Sequence, residues 1–140
     1  MHSTAGAQRL GITLDLIVLD CPDTRTLATF YSELLGWSDV RFDDDGWAEV
    51  RGPRGPGLAF QPAPDHVAPT WPDPGVPQQS HLDLDVDDLE AAHEHALSLG
   101  AIATGHPRAG TPGGDTDGYR VFRDPAGHLF CLCRRGPSSV

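Results

Sequence analysis

The chain has 140 residues, of which 39% are hydrophobic, so it is long enough for one compact core and too short for two ordinary domains. A formal net charge of −10 argues against nucleic-acid binding and against attraction to anionic membranes, and it favours cationic ligands. No apolar run approaches the roughly 18 to 20 residues that span a bilayer, and residues 1–10 lack the apolar centre of a signal peptide. Three cysteines make no disulfide framework, so we expect free thiols and a cytoplasmic location.

The first half of the chain is predicted to fold as a strand, a helix and three further strands. Residues 1–10 carry no pattern of regular structure, and the near-continuous apolar run in 12–21 predicts a strand buried on both faces. A helix is expected to begin at Asp23 and to end at Gly36. Turn residues then separate three short strand candidates at 38–42, 46–51 and 57–63.

Prolines crowd the middle of the chain. Between residues 64 and 78 they forbid both a helix and ladder pairing, which predicts an extended linker. We expect this linker to be a surface connection, tethered by Trp71.

A strand running directly into a helix opens the second half. Polar and apolar residues alternate from Ser80 to Val86, so one face of this strand carries His81, Asp83 and Asp85. Asp87 or Asp88 is expected to cap the helix that follows, and Gly100 to end it. A polar strand face headed by an imidazole is where we expect function.

The second half repeats the order of the first. Strand candidates at 101–106, 119–123 and 129–134 follow the helix, with a long loop from Pro107 to Gly118. The glycines that end the two helices, Gly36 and Gly100, are 64 positions apart. A repeat of this length with the same order of elements indicates an internal duplication.

Three motifs in this order, LDCPDTRTLATFYSELLGW, HLDLDVDDLEAAHEHALSLGA and FRDPAGHLFCLC, resemble the glyoxalase/bleomycin-resistance/extradiol-dioxygenase group, the vicinal oxygen chelate superfamily. WPDPGVPQQSHLDLDVDDLEAA and DPAGHLFCLC are similar to its actinobacterial glyoxalase-like domain branch. The resemblance implies an α+β fold in which two tandem βαβββ modules, about 11–63 and 79–135, form a curled mixed sheet around a concave cleft. It also implies that residues 1–140 form a single domain, in which a linker at 64–78 joins the two modules. A homodimer is implied as well.

The resemblance also implies four positions for the ligands of a divalent ion. In this sequence they fall on Leu16, about Gln61, His81 and Cys131. Only His81 is of the expected kind, and Leu16 cannot bind a metal. His81 and Cys131 would suit zinc or iron if an ion were held, but the departures favour a cleft without a metal.

Two functions remain open. One is a small-molecule enzyme of lyase or isomerase type, with His81 as general base or as the one strong metal ligand. The other is a non-catalytic protein of the bleomycin-resistance kind that sequesters a cationic or aromatic compound. The substrate-binding candidates are Trp47, Phe60, Gln61, Asp83 and Cys131, each of which also has a plain packing or surface role open to it. His93 and His95 face apart on a helix and form no joint site.

Overall fold

The computed structural model describes residues 5–107 and 118–134, so the predicted loop from Pro107 to Gly118 lies outside the described residues except at its ends. The helices in this part of the chain are α1 (Ala5–Leu10), α2 (Thr24–Leu35) and α3 (Leu89–Ser98). The strands are β1 (Leu16–Cys21), β2 (Asp39–Phe42), β3 (Ala48–Arg51), β4 (Gly57–Pro62), β5 (Leu82–Asp85), β6 (Ile102–Ala103), β7 (Tyr119–Arg123) and β8 (Leu129–Cys133).

The strands form two mixed sheets of the same design. One sheet has the order β1-β4-β3-β2 and the other β5-β8-β7-β6. In each, the first strand pairs in parallel with the last, Leu16 opposite Gly57 and Leu82 opposite Phe130, and the other neighbours are antiparallel. The predicted α+β fold with two tandem βαβββ modules is confirmed, but the expected curled mixed sheet is replaced by two separate, uncurled four-stranded sheets.

Capping side chains fix the beginnings of the two long helices. Asp23 accepts a hydrogen bond from the Thr26 backbone N–H at 3.1 Å, as the sequence predicted for α2. Asp88, rather than Asp87, caps α3 by accepting from the Ala91 N–H. Both helices therefore begin where a local acidic side chain satisfies free backbone donors.

Aromatic side chains from both halves of the chain meet in the main core. Tyr31 of α2 stacks on Phe60 of β4 with ring centroids 5.9 Å apart. The ring centroid of Phe130 in β8 lies 5.4 Å from that of Phe122 and 5.8 Å from that of Phe30 in α2. Because α2 touches the second sheet through these rings, the two modules share one apolar core.

The first strand differs from its prediction. Ile17 and Val18 remain 39% and 42% exposed, so β1 is not buried on both faces in this chain. Among residues 5–107 and 118–134, β1 lies at the edge of its sheet and pairs with β4 alone. The N-terminal segment differs as well, because Ala5–Leu10 forms a short helix where the sequence showed no pattern.

Residues 63–81 contain no helix or strand, as the prolines predicted, but they do not simply run across the surface. The Arg123 guanidinium donates to the backbone oxygens of Pro69 at 2.8 Å and Trp71 at 2.6 Å. This stretch therefore packs against the second sheet. In the described part of the chain, no helix is long and apolar enough to cross a membrane.

Candidate functional site

Three side chains with metal-binding or proton-transfer chemistry converge on one face of the second sheet. His81 directly precedes β5, Asp83 lies within it, and Cys131 lies opposite Asp83 in the neighbouring β8. One donor atom from each residue falls within 4.8 Å of the others. The alternation in β5 and its parallel register with β8 together create this group.

The imidazole and the carboxylate of this group are in direct contact. His81 Nε2 lies 3.0 Å from Asp83 Oδ1. Because a carboxylate only accepts, this contact assigns a proton to Nε2 and leaves Nδ1 of the neutral ring as an acceptor. The two side chains are 38% and 43% exposed, so a ligand can reach them from solvent.

Cys131 is the buried residue of the group. Burial raises the pKa of its thiol to about 12, and the charge of Asp83, the neighbouring Cys133 and a hydrogen bond to Asp83 act in the same direction. At neutral pH this residue is therefore a protonated thiol rather than a nucleophilic thiolate. As a metal ligand it would have to release that proton on binding.

An imidazole, a carboxylate and a thiol are a donor set that fits zinc or ferrous iron. Open catalytic metal sites commonly use three protein ligands. Asp83 was predicted as a substrate contact and not as a ligand, because the four family positions fall on Leu16, about Gln61, His81 and Cys131 and not on Asp83. Leu16 and Gln61 lie on the first sheet, on β1 and β4, and add no strong ligand.

The other predicted site residues lie on the first module. Phe60 is fully buried against Tyr31, so its ring belongs to the core. Gln61 is exposed near the end of β4. Trp47 is half-buried, and its indole Nε1 donates to Glu49 at 3.1 Å.

A buried carboxylate on the first sheet escaped the sequence analysis. Glu49 in β3 is 8% exposed and accepts from Trp47, from Arg41 at 2.8 Å and from Arg51 at 3.3 Å. Alternation within β3 places Glu49 and Arg51 on the same face. That alternation was the signal that could have found Glu49, but β3 has only four residues, which is too short for a clear alternating pattern.

His128 was also missed, since it was treated only as part of the turn before the last strand. Its Nδ1 lies 2.9 Å from Asp124 Oδ2, and its Nε2 lies 2.8 Å from the backbone oxygen of Asp20. Both ring nitrogens thus face acceptors, and both contacts are hydrogen bonds only when the ring is doubly protonated. Burial lowers the pKa of His128, but the hydrogen bond and charge of Asp124 outweigh it and leave a raised pKa.

Two βαβββ modules in tandem, each with the same strand order, and an imidazole at the head of β5 define a protein of the vicinal oxygen chelate class. The family model described as "Glyoxalase-like domain" matches residues 16–133. The chain belongs to this family, as its sequence motifs indicated. No curated protein matches the chain.

Solved structures share this fold at low sequence identity. A glyoxalase/dioxygenase from Nostoc punctiforme is 20% identical, covers 98% of each chain and gives a TM-score of 0.66. A glyoxalase/bleomycin resistance protein/dioxygenase family enzyme from Burkholderia phytofirmans PsJN is 15% identical, with 88% of this chain and 98% of that chain covered and a TM-score of 0.64. TnmS3, an antibiotic binding protein from Streptomyces sp. CB03234, is 22% identical, with 91% and 97% covered and a TM-score of 0.56.

Proposed function

We propose that residues 1–140 act as one glyoxalase-like domain, with modules at about 11–63 and 79–135 and a linker at 64–78. Its function is that of a small-molecule enzyme of lyase or isomerase type, with His81 as the general base. The observation that carries this proposal is the 3.0 Å contact between His81 Nε2 and Asp83 Oδ1 on an accessible sheet face. A base held by a carboxylate is a recurrent arrangement for proton transfer.

The proposed chemistry begins with a proton on a carbon next to a carbonyl group. Nδ1 of His81 takes this proton, the C–H electron pair moves toward the carbonyl oxygen, and Asp83 stabilises the imidazolium that forms. In an α-hydroxyketone, the hydroxyl proton passes to the enolate oxygen and the imidazolium returns its proton to the former carbonyl carbon, which gives an isomerase. Where the β carbon carries a leaving group, the enolate electrons re-form the carbonyl and the group departs with its electron pair, which gives a lyase. The protonated thiol of Cys131 lies beside Asp83 and keeps its proton throughout.

His81, Asp83 and Cys131 would hold a divalent ion if one binds. Such an ion would act as a Lewis acid on substrate oxygens. His81 would then serve as a ligand. Elemental analysis of protein purified without chelator, compared with His81→Ala, distinguishes a metal-bound His81 from a metal-free base. Stoichiometric metal in the wild type that is lost in the variant supports metal binding.

Deuterium exchange tests the proton transfer directly. In D₂O, we expect the protein to accelerate exchange of the carbon-bound protons of hydroxyacetone, the first member of an α-hydroxyketone panel, as followed by NMR. His81→Ala should abolish the acceleration and Asp83→Asn should reduce it, while His95→Ala, which alters an exposed imidazole on α3, should not. Equal exchange by the wild type and His81→Ala across the panel would contradict the proposal.

A second candidate is sequestration of a cationic or aromatic compound, which the exposed carboxylates of Asp83 and Asp85 and the net charge of −10 favour. The fold is shared with an antibiotic binding protein, TnmS3. Ligand held at a hundred times its Kd should add roughly 2.7 kcal/mol to the free energy of unfolding. A panel of cationic and aromatic compounds without any rise in Tm would remove this candidate.

A homodimer is part of the proposal. Ile12 and Leu14 are 68% and 66% exposed just before β1, and Ile17 and Val18, on opposite faces of this edge strand, are 39% and 42% exposed. A second copy would cover them. Sedimentation should show a dimer that Val18→Lys weakens, and a monomer at high concentration would contradict it. Cys21, Cys131 and Cys133 form no disulfide bond with one another, which supports the proposed cytoplasmic location.

A further inference from the structure

A cavity of about 330 Å³ lies where α2 meets the second module. Phe30, which is only 3% exposed, lines this cavity together with Leu99, which follows α3, and Pro125, from the turn between β7 and β8. Thr26 and Thr29 of α2 add hydroxyl groups. The volume suits a small molecule. In the described part of the chain, the lining includes no member of the His81 group, so the cavity is distinct from that site.

Two opposite charges also line the cavity. Arg25 and Glu33 lie eight positions apart on α2, which separates their backbones by about 12 Å along the helix axis. Among the described residues, neither side chain forms an ion pair. His95 lies near Glu33, but its Nε2 contacts the backbone oxygen at 3.1 Å. The cavity thus has a cation toward one end, an anion toward the other and an apolar wall between them.

The guanidinium of Arg25 is held in a way that keeps its donors available. Its Cζ lies 4.0 Å from the centroid of the Phe42 ring, so one face of the guanidinium rests on an aromatic surface. The N–H groups point outward in the guanidinium plane, where an anion can accept from them. Asp23 does not take this place, because its two carboxylate oxygens accept from the N–H and the hydroxyl of Thr26 at 3.1 and 2.7 Å.

Both charges also lie at the unfavourable ends of their helix. Arg25 is in the first turn of α2, where the helix dipole is positive, and Glu33 is in the last turn, where it is negative. Each side chain is therefore repelled by the backbone of its own helix. A local choice that opposes the stability of an element without an evident compensating contact is typical of a functional position.

We propose that this cavity binds a linear ω-amino acid, a zwitterion whose two charges are separated by an apolar chain. Its carboxylate pairs with Arg25, its ammonium group pairs with Glu33, and its methylene chain lies along Phe30. In this direction the ligand also complements the dipole of α2, with its anion at the N-terminal end and its cation at the C-terminal end. An α-amino acid carries both charges on one carbon and cannot reach both side chains.

Calorimetric titration with 6-aminohexanoate, hexanoate and hexylamine tests the proposal. We expect 6-aminohexanoate to bind at least about fivefold more tightly than either singly charged probe, and Arg25→Gln or Glu33→Gln to remove that advantage. Arg54→Gln and Glu94→Gln are the matched controls, because both alter exposed charges that do not line the cavity. Arg25→Gln and Glu33→Gln each remove a charge that α2 disfavours, so their Tm should not fall and lost binding cannot be ascribed to unfolding.

Reversing one charge should change the preferred ligand. Glu33→Arg places a cation at each end of the cavity, so it should prefer adipate, which has two carboxylates, to 6-aminohexanoate. His81→Ala should bind 6-aminohexanoate as the wild type does, and loss of binding in this variant would assign the probe to the His81 site and overturn the proposal. Equal binding of the three probes, equal losses in the control variants, or no binding of millimolar 6-aminohexanoate by the wild type would also overturn it. The deuterium exchange of hydroxyacetone is unaffected by any of these results.

Discussion

Tyr31 and Asp124 lie 93 positions apart and share a buried hydrogen bond, in which the Tyr31 hydroxyl donates to Asp124 Oδ2 at 2.7 Å. Tyr31 is fully buried and Asp124 is 2% exposed. Burial and the adjacent charge of Asp124 raise the pKa of Tyr31 well above its usual value, so the phenol stays a donor. The bond ties α2 of the first module to the turn between β7 and β8 of the second.

Removing the Tyr31 hydroxyl should lower the stability of the whole chain. In Tyr31→Phe the buried carboxylate of Asp124 loses one donor but keeps His128 and the backbone N–H of Ala126. We expect the free energy of unfolding to fall by about 1 to 3 kcal/mol, measured by urea denaturation. Tyr119→Phe, at a 41% exposed tyrosine, is the control and should change little. Equal stabilities of the two variants would contradict a role for the buried bond.

The second cross-module contact, from His128 to Asp20, predicts a pH dependence. Because the pKa of His128 is raised in the folded state, its stabilising effect is fully present below the unfolded pKa near 6.5 and is lost as pH rises through the higher folded pKa. The stability difference between the wild type and His128→Gln should therefore be larger at pH 5.5 than at pH 9. Urea unfolding at both pH values measures it.

Other titratable groups face the same ring and need a control. His66 lies against His128 with centroids 4.8 Å apart, and the Asp124 and Asp20 carboxylates and Tyr31 are near it. The stability of His66→Gln, in which His128 is kept, should therefore change with pH nearly as much as that of the wild type. If the stability of His66→Gln no longer depends on pH while that of His128→Gln still does, the pH effect does not come from His128.

Much of the fold could be predicted because its signals are local. Asp23 caps α2 through Thr26, three residues on, and the alternation from Ser80 to Val86 correctly placed His81 and Asp83 on one face. Such patterns depend on backbone geometry within a few residues.

The features that the sequence patterns missed depend on contacts between distant parts of the chain. His128 meets Asp20 across 108 positions, and Arg123 meets Trp71 across 52. No periodicity links such pairs, so the prolines predicted a linker without predicting where it would pack. The exposed β1 is a related case. Its apolar run predicted a strand buried on both faces, but the strand stays partly exposed in this chain.

The raised pKa of Cys131 predicts low reactivity toward alkylating agents. In the folded protein at pH 8, iodoacetamide should label Cys131 far more slowly than in urea, because the thiolate is scarce and the residue is 8% exposed. Asp83→Asn removes a charge that raises this pKa, so labelling should become faster. Mass spectrometry of digests, with Cys133→Ser to simplify them, gives the rates. Slower labelling in Asp83→Asn than in the wild type would contradict the electrostatic account.

The close approach of the linker to Gly127 gives a prediction with a matched control. Gly127 has φ +90°, and a Cβ there would meet the Ala68 Cβ at 2.6 Å, whereas Gly55 has φ +80° and no atom within 4 Å of the added Cβ. Both Gly→Ala changes strain the backbone, by about 1 to 3 kcal/mol. Only Gly127→Ala also pushes Ala68 away from the second sheet. Urea unfolding should therefore show a larger loss for Gly127→Ala, and limited proteolysis should cut its 63–81 segment faster than that of Gly55→Ala. Identical behaviour of the two variants would mean that the contact between Ala68 and Gly127 does not hold the linker, and that other contacts, such as those of Arg123, do so.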